Sequence, residues 1–125
     1  QRNLNFEGIE QAKMIGNYFR INKIKFSEIL SSEWCRCLDT ISNMDIGKWK
    51  EFEGLNSFFQ NYSDKSLVTK LLYKKLNTIK DEELILMVTH QVVIAQITGI
   101  SPSSGGMVLY STLNGKSKNI VINYK

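Results

Sequence analysis

Two short stretches of this 125-residue sequence place residues able to handle an anion directly after apolar runs. Ser31-Ser32-Glu33-Trp34-Cys35-Arg36 follows Phe26 to Leu30, and Thr89-His90-Gln91 follows Leu84 to Val88. A guanidinium clamps phosphate through paired N–H groups. An imidazole can donate to a phosphoryl oxygen or carry a proton near neutral pH. Where a strand hands over to a helix, the first-turn N–H groups add a natural anion site. Arg36 and His90, the only histidine, are therefore the candidate chemical groups. Each also has a plainer reading. Arg36 could be a surface residue paired with Glu33 or Asp39, and His90 a strand-end residue bonded to backbone. Cys35 and Cys37, the only cysteines, sit too close for an ordinary disulfide with each other. With one histidine they cannot complete a zinc site, so they read as packing residues unless one pairs with a cysteine upstream.

The elements that must position these groups are legible from periodicity. Asn5 is a good N-cap with Glu7 in the first turn behind it, and Ile9, Ala12, Ile15, Gly16 and Phe19 recur on one helical face. Phe26 to Ser32 reads as a strand. A second helix follows, with Ser32 as its expected N-cap and Trp34, Cys37, Leu38 and Ile41 as its stripe. Trp49 to Leu55 holds a short strand, and Asn56 to Asp64 a loop anchored by Phe58, Phe59 and Tyr62. Val68, Leu71, Leu72, Leu76 and Ile79 define a helix over 66–80. Leu84 to Thr89 is a continuous apolar run, as expected of a strand buried on both faces of a parallel sheet. Val92 to Thr98 is a short helix stopped by Gly99 and Pro102. Met107 to Ser111 and Asn119 to Tyr124, separated by Asn114-Gly115, form a terminal hairpin. Helices alternating with strands predict a three-layer α/β fold in a single domain over residues 1–125.

Composition narrows the function classes. The net charge of +4 is mild and its lysines are scattered without interleaved aromatics, which argues against nucleic-acid binding and for small anions at most. No run approaches the length of a membrane span. The compartment stays open between cytoplasm and periplasm.

Leu4-Asn5-Phe6-Glu7-Gly8-Ile9-Glu10-Gln11-Ala12 resembles the opening of the first helix in histidine phosphatases of the phosphoglycerate mutase-like fold. Ser31-Ser32-Glu33-Trp34-Cys35-Arg36-Cys37-Leu38-Asp39-Thr40 resembles their arginine motif, and Val88-Thr89-His90-Gln91 their later histidine motif. Thr98-Gly99-Ile100, Pro102 and Ser104-Gly105 extend the match in order. Trp34-Cys35-Arg36-Cys37 and Leu55-Asn56-Ser57-Phe58-Phe59 suggest a small bacterial branch without a large cap insertion.

The resemblance implies a mostly parallel sheet between helical layers and phosphomonoester hydrolysis through a phosphohistidine. It makes Arg36 a phosphate clamp and His90 the second, non-nucleophilic histidine. Arg2 becomes a further phosphate ligand, and Ser31, Ser32 and Gln91 become supporting residues. No metal or other cofactor is implied, and the expected partner is a phosphorylated small molecule, phosphate or sulfate. The family's Arg-His-Gly nucleophile does not occur in the sequence. That motif and the first strand are expected upstream of Gln1, and a catalytically inactive anion-binding remnant is the alternative. Loss of a central strand would leave open sheet edges, so a homodimer formed by strand swapping is a further expectation. The sequence departs from the family pattern at Ile41, at Val93 and at Gly106, the last removing a carboxylate suited to proton donation.

Overall fold

The structure, a computed structural model, describes residues 3–61 and 63–122. Helix α1 (Phe6–Ile21) starts where Asn5 accepts the Gly8 N–H through its side chain at 2.8 Å. Its apolar stripe buries Ala12, Ile15, Gly16 and Phe19, as the spacing predicts, while Ile9 is only half-buried. Strand β1 (Glu28–Ser31) leads into α2 (Cys35–Met44), whose buried residues are Cys37, Ile41 and Met44. At the α1–α2 crossing a β-carbon on Gly16 would overlap the Met44 carbonyl, so only glycine permits this approach. The Arg20 guanidinium donates to the Met44 and Asp45 carbonyls and so closes the exposed end of α2.

A short strand β2 (Lys50–Glu51) precedes a 3-10 turn, Glu53–Leu55, that buries Leu55. Helix α3 (Lys65–Leu76) is capped by the Asp64 carboxylate at Leu67 N–H and ends at Asn77, short of the predicted residue 80. Strand β3 (Ile85–Val88) and helix α4 (Gln91–Thr98) follow, and Gly99 ends α4 in the left-handed conformation at φ 74°. Strands β4 (Met107–Tyr110) and β5 (Ser117–Ile120) form the expected antiparallel hairpin. The second strand of that hairpin begins two residues earlier than Asn119, because the ladder closes at Ser111 and Lys116.

The strands β2, β1 and β3 make a parallel sheet in that order. Under α1 and α2 lies one core of Ala12, Ile15, Phe19, Ile29, Ile41 and Met44, joined by Leu86, Val88 and Met107. Under α3 and α4 lies another, of Leu30, Leu55, Leu72, Leu76 and Val93, joined by Ile85, Met87 and Tyr110. Alternate β-strand residues feed opposite cores, which gives the three α/β/α layers.

Three expectations are corrected. Ser32 does not cap α2: the N-cap position belongs to Trp34, and the Ser32 hydroxyl is engaged elsewhere. Phe59 is no anchor, being 56% exposed, whereas Phe58 packs on the second core and Tyr62 lies outside the described residues. The β3 run packs on both cores but is not fully buried on either face. All four of its residues are half-buried, because among the described residues only one of its edges carries a neighbouring strand.

Candidate functional site

The β1–α2 and β3–α4 junctions lie side by side because β1 and β3 are adjacent, parallel and in register from Glu28↔Ile85 to Ser31↔Val88. Ser31 and Ser32 close β1 with no solvent exposure. The Ser31 hydroxyl donates to the Ser32 carbonyl at 2.9 Å and is taken up by backbone. The Ser32 hydroxyl is a hub. It donates to Asn56 Oδ1 at 3.0 Å, accepts the Trp34 N–H at 3.2 Å, and meets His90 Nε2 at 2.9 Å.

Proton bookkeeping fixes the histidine tautomer. Asn56 is oriented by two contacts with Glu33: its Oδ1 accepts the Glu33 N–H at 2.9 Å, and its Nδ2 donates to Glu33 Oε1 at 2.8 Å. Its oxygen therefore faces Ser32 and takes the single hydroxyl hydrogen. His90 must then donate through Nε2–H, leaving Nδ1 as the bare nitrogen of a neutral ring. Cys37 Sγ lies 3.6 Å from the same Nε2, and the Trp34 ring meets the imidazole edge-on at 4.9 Å between centroids.

Electrostatics keep the ring neutral. Burial, followed by the positive charge of Arg36, pushes the His90 pKa from its ordinary 6.5 down to about 4. Burial pushes the Cys37 thiol up to about 11, offset in part by a hydrogen bond with Ser32, so it is protonated and unreactive at neutral pH.

Arg36 is exposed in the first turn of α2. Neither ion pair considered from the sequence forms: Glu33 is held by Asn56, and Asp39 Oδ2 accepts the Leu4 N–H at 3.0 Å. Among the described residues the only salt bridge joins Lys75 and Glu28. The guanidinium is thus exposed and without a salt-bridge partner among the described residues. Gln91 sits beside His90, but its Nε2 donates to the Pro102 carbonyl at 2.8 Å and braces the loop before β4. Arg2 lies outside the described residues. Among those residues no group of His, Cys, Asp and Glu could hold a metal ion.

Sequence reasoning missed Asn56, the residue that orients the hub. The available signal was the amide directly after Leu55 in Leu55-Asn56-Ser57-Phe58, where a buried polar side chain needs partners. Cys37 and Trp34, packing residues by their spacing, also wall the imidazole.

An anion at this position would meet the Arg36 charge and the first-turn N–H groups of two helices. It would also favour protonation of His90, since a nearby negative charge raises an imidazole pKa. The ring could then donate from Nδ1 while Nε2–H stays on Ser32.

No family model and no curated protein matches this sequence. Among solved structures the chain is similar to the protein histidine phosphatase SixA complexed with tungstate, with a TM-score of 0.63 at 17% identity. The match covers 96% of this chain and 82% of that one. The α/β/α arrangement built from these residues is therefore the phosphoglycerate mutase-like fold.

Proposed function

We propose that these residues form the phosphoryl-binding half of a histidine phosphatase-type site. The observation that carries the reading is the placement of an unpaired, exposed Arg36 beside a neutral, hydroxyl-anchored His90, at the carboxyl ends of two adjacent parallel strands. Arg36 holds two phosphoryl oxygens, and His90 gives a hydrogen bond to a third once the anion has raised its pKa. Ser32 and Asn56 hold the imidazole in place. The solved structure of similar fold was complexed with tungstate, an oxyanion, which supports an oxyanion as the kind of ligand this fold takes.

Hydrolysis through a phosphohistidine requires a second histidine. Its ring nitrogen attacks phosphorus as the P–O bond to the ester breaks and the leaving oxygen takes a proton from solvent; water then attacks phosphorus, the P–N bond breaks, and phosphate and the free imidazole are released. His90 is the only histidine among the 125 residues, and its Nε2 is committed to Ser32. We therefore assign it the binding role. Turnover of a phosphomonoester in the complete protein depends on a histidine supplied to this pocket, in line with the Arg-His-Gly motif that the resemblance implies. These 125 residues alone bind the anion without cleaving the ester.

Titration of the 125-residue chain with tungstate or inorganic phosphate, followed by NMR, tests the reading. Saturable shifts at Arg36, His90 and the first turns of α2 and α4 are expected, with no hydrolysis of p-nitrophenyl phosphate. Absence of binding at millimolar anion would overturn the site, and turnover by this chain would overturn the assignment of His90 to binding alone.

A further inference from the structure

Helix α3 uses one side to fold. Val68, Leu72 and Leu76 are buried there, and a neighbouring flank of the helix forms a groove with α4. Lys65, Ser66, Thr69, Lys70 and Tyr73 line the groove from α3, and Gln96 lines it from α4. Its volume of about 530 Å3 lies within the roughly 300–1,000 Å3 typical of ligand sites. All six side chains carry a hydrogen-bond donor, and none is acidic. Among the described residues none of the six makes a side-chain hydrogen bond or a salt bridge. Thr69 is the clearest case, because its hydroxyl oxygen is buried and still has no partner. Such groups are uncommon in folded proteins, and in the wall of a groove a bound acceptor would satisfy one.

The charge distribution is an independent observation. Four of the sixteen basic residues, Lys65, Lys70, Lys74 and Lys75, lie in α3, which has no acidic residue. The remaining twelve equal the twelve acidic residues of the chain. Lysines that look scattered along the sequence thus put the net charge of +4 on one helix. Lys75 is paired with Glu28, whereas Lys65 lies over the Phe58 ring at 5.3 Å, which holds a cation at the first turn. Lys65 and Lys70 are about 7.5 Å apart along the helix axis. Side chains two residues apart on one face of an extended chain are separated by about 6.6–6.8 Å, a similar spacing.

We infer that the α3–α4 groove docks an extended acidic segment of a protein partner, with carboxylates two residues apart on Lys65 and Lys70. The Tyr73 ring, 41% exposed, and the lysine stems cover the residues between them. Thr69 and Gln96 pair with the backbone of the segment. A nucleic acid would need a longer basic stripe than one flank of one helix. The chain's own acidic run, Asp81-Glu82-Glu83, is not extended. It forms the turn before β3, where Glu83 accepts the Lys80 N–H at 2.8 Å, so a second copy does not supply the segment. This inference goes beyond anion binding at Arg36 and does not depend on it.

The test titrates a capped peptide of about six residues, alternating glutamate and leucine, into the 15N-labelled 125-residue chain at about 10 mM salt, where exposed charges are weakly screened. Saturable amide shifts are expected at Ser66, Thr69, Tyr73 and Gln96, with Arg36 and His90 unmoved. A twin peptide with glutamine in place of glutamate should bind at least about tenfold more weakly. The double variant Lys65→Glu, Lys70→Glu should weaken the first peptide by a similar factor. Both lysines are exposed, so its urea midpoint should stay close to that of the parent. Thr69→Val separates docking from folding. It removes a hydroxyl without a partner, so the free chain should be at least as stable while affinity falls by about threefold or more. Equal binding of the two peptides would overturn the inference, as would shifts confined to Arg36 and His90, or no saturation at millimolar peptide. Tighter binding of oligodeoxythymidylate at the same amides would overturn the acidic segment as the occupant. A concentration-dependent dimer that uses those amides would do so in favour of a second copy.

Discussion

Ser32 Oγ and His90 Nε2 stand 2.9 Å apart, and this contact decides which nitrogen of the only histidine carries its proton. With the serine hydrogen committed to Asn56 Oδ1, the imidazole is the donor and Nδ1 is bare. NMR of 15N-labelled His90 at pH 7 should show a neutral ring protonated at Nε2. A ring protonated at Nδ1 would show that the Ser32 hydroxyl points to His90 instead.

The low His90 pKa makes stability depend on pH in a defined window. Folded, the ring takes up its proton near pH 4; unfolded, near 6.5. Between those values the unfolded chain binds more protons, so stability from this group is complete above pH 6.5 and is lost as pH falls toward 4. The urea midpoint should decline across that window, and the decline should shrink in His90→Gln.

Arg36→Ala separates the two causes of the shift. Burial, the larger, remains, while the guanidinium charge goes, so the His90 midpoint should rise from about 4 yet stay below 6.5. The Arg36 guanidinium makes no hydrogen bond or salt bridge among the described residues, so the urea midpoint at pH 7 should move by no more than about 0.5 kcal/mol equivalent. Tungstate affinity should fall by about tenfold or more, as expected when a charge-assisted bidentate contact is removed. Unchanged affinity would exclude Arg36 as the clamp.

Ser32→Ala removes the hub from a site with no solvent exposure. Three groups lose this contact: the His90 Nε2–H, the Trp34 N–H and one lone pair of Asn56 Oδ1. A loss of about 1–3 kcal/mol in urea unfolding is expected, with a changed His90 tautomer or midpoint as its local signature. Ser31→Ala should cost less, since the lost bond joins that hydroxyl to the neighbouring carbonyl only.

Gly16→Ala probes the helical layer above the site. The new methyl would overlap the Met44 carbonyl, forcing α1 and α2 apart. A destabilisation of about 1–3 kcal/mol or more is expected from chemical denaturation. Because α2 carries Arg36, tungstate binding should weaken with it.

What the sequence by itself determined is what repeats locally. The α1 stripe and its Asn5 cap depend on contacts within a few residues, as do the Gly99 stop and the hairpin turn at Gly115, so periodicity and turn chemistry were enough. The two strand-to-helix junctions were legible for the same reason, and with them Arg36 and His90 as the groups worth following. Only the tertiary structure decided what those groups touch. Ser32 meets Asn56 across 24 residues and His90 across 58, a meeting set by the parallel β1–β3 register and the return of the chain after β2. The β3 run shows the limit from the other side. Its composition is that of a strand covered on both faces, yet cover depends on which strands lie beside it, and no local pattern encodes a neighbour.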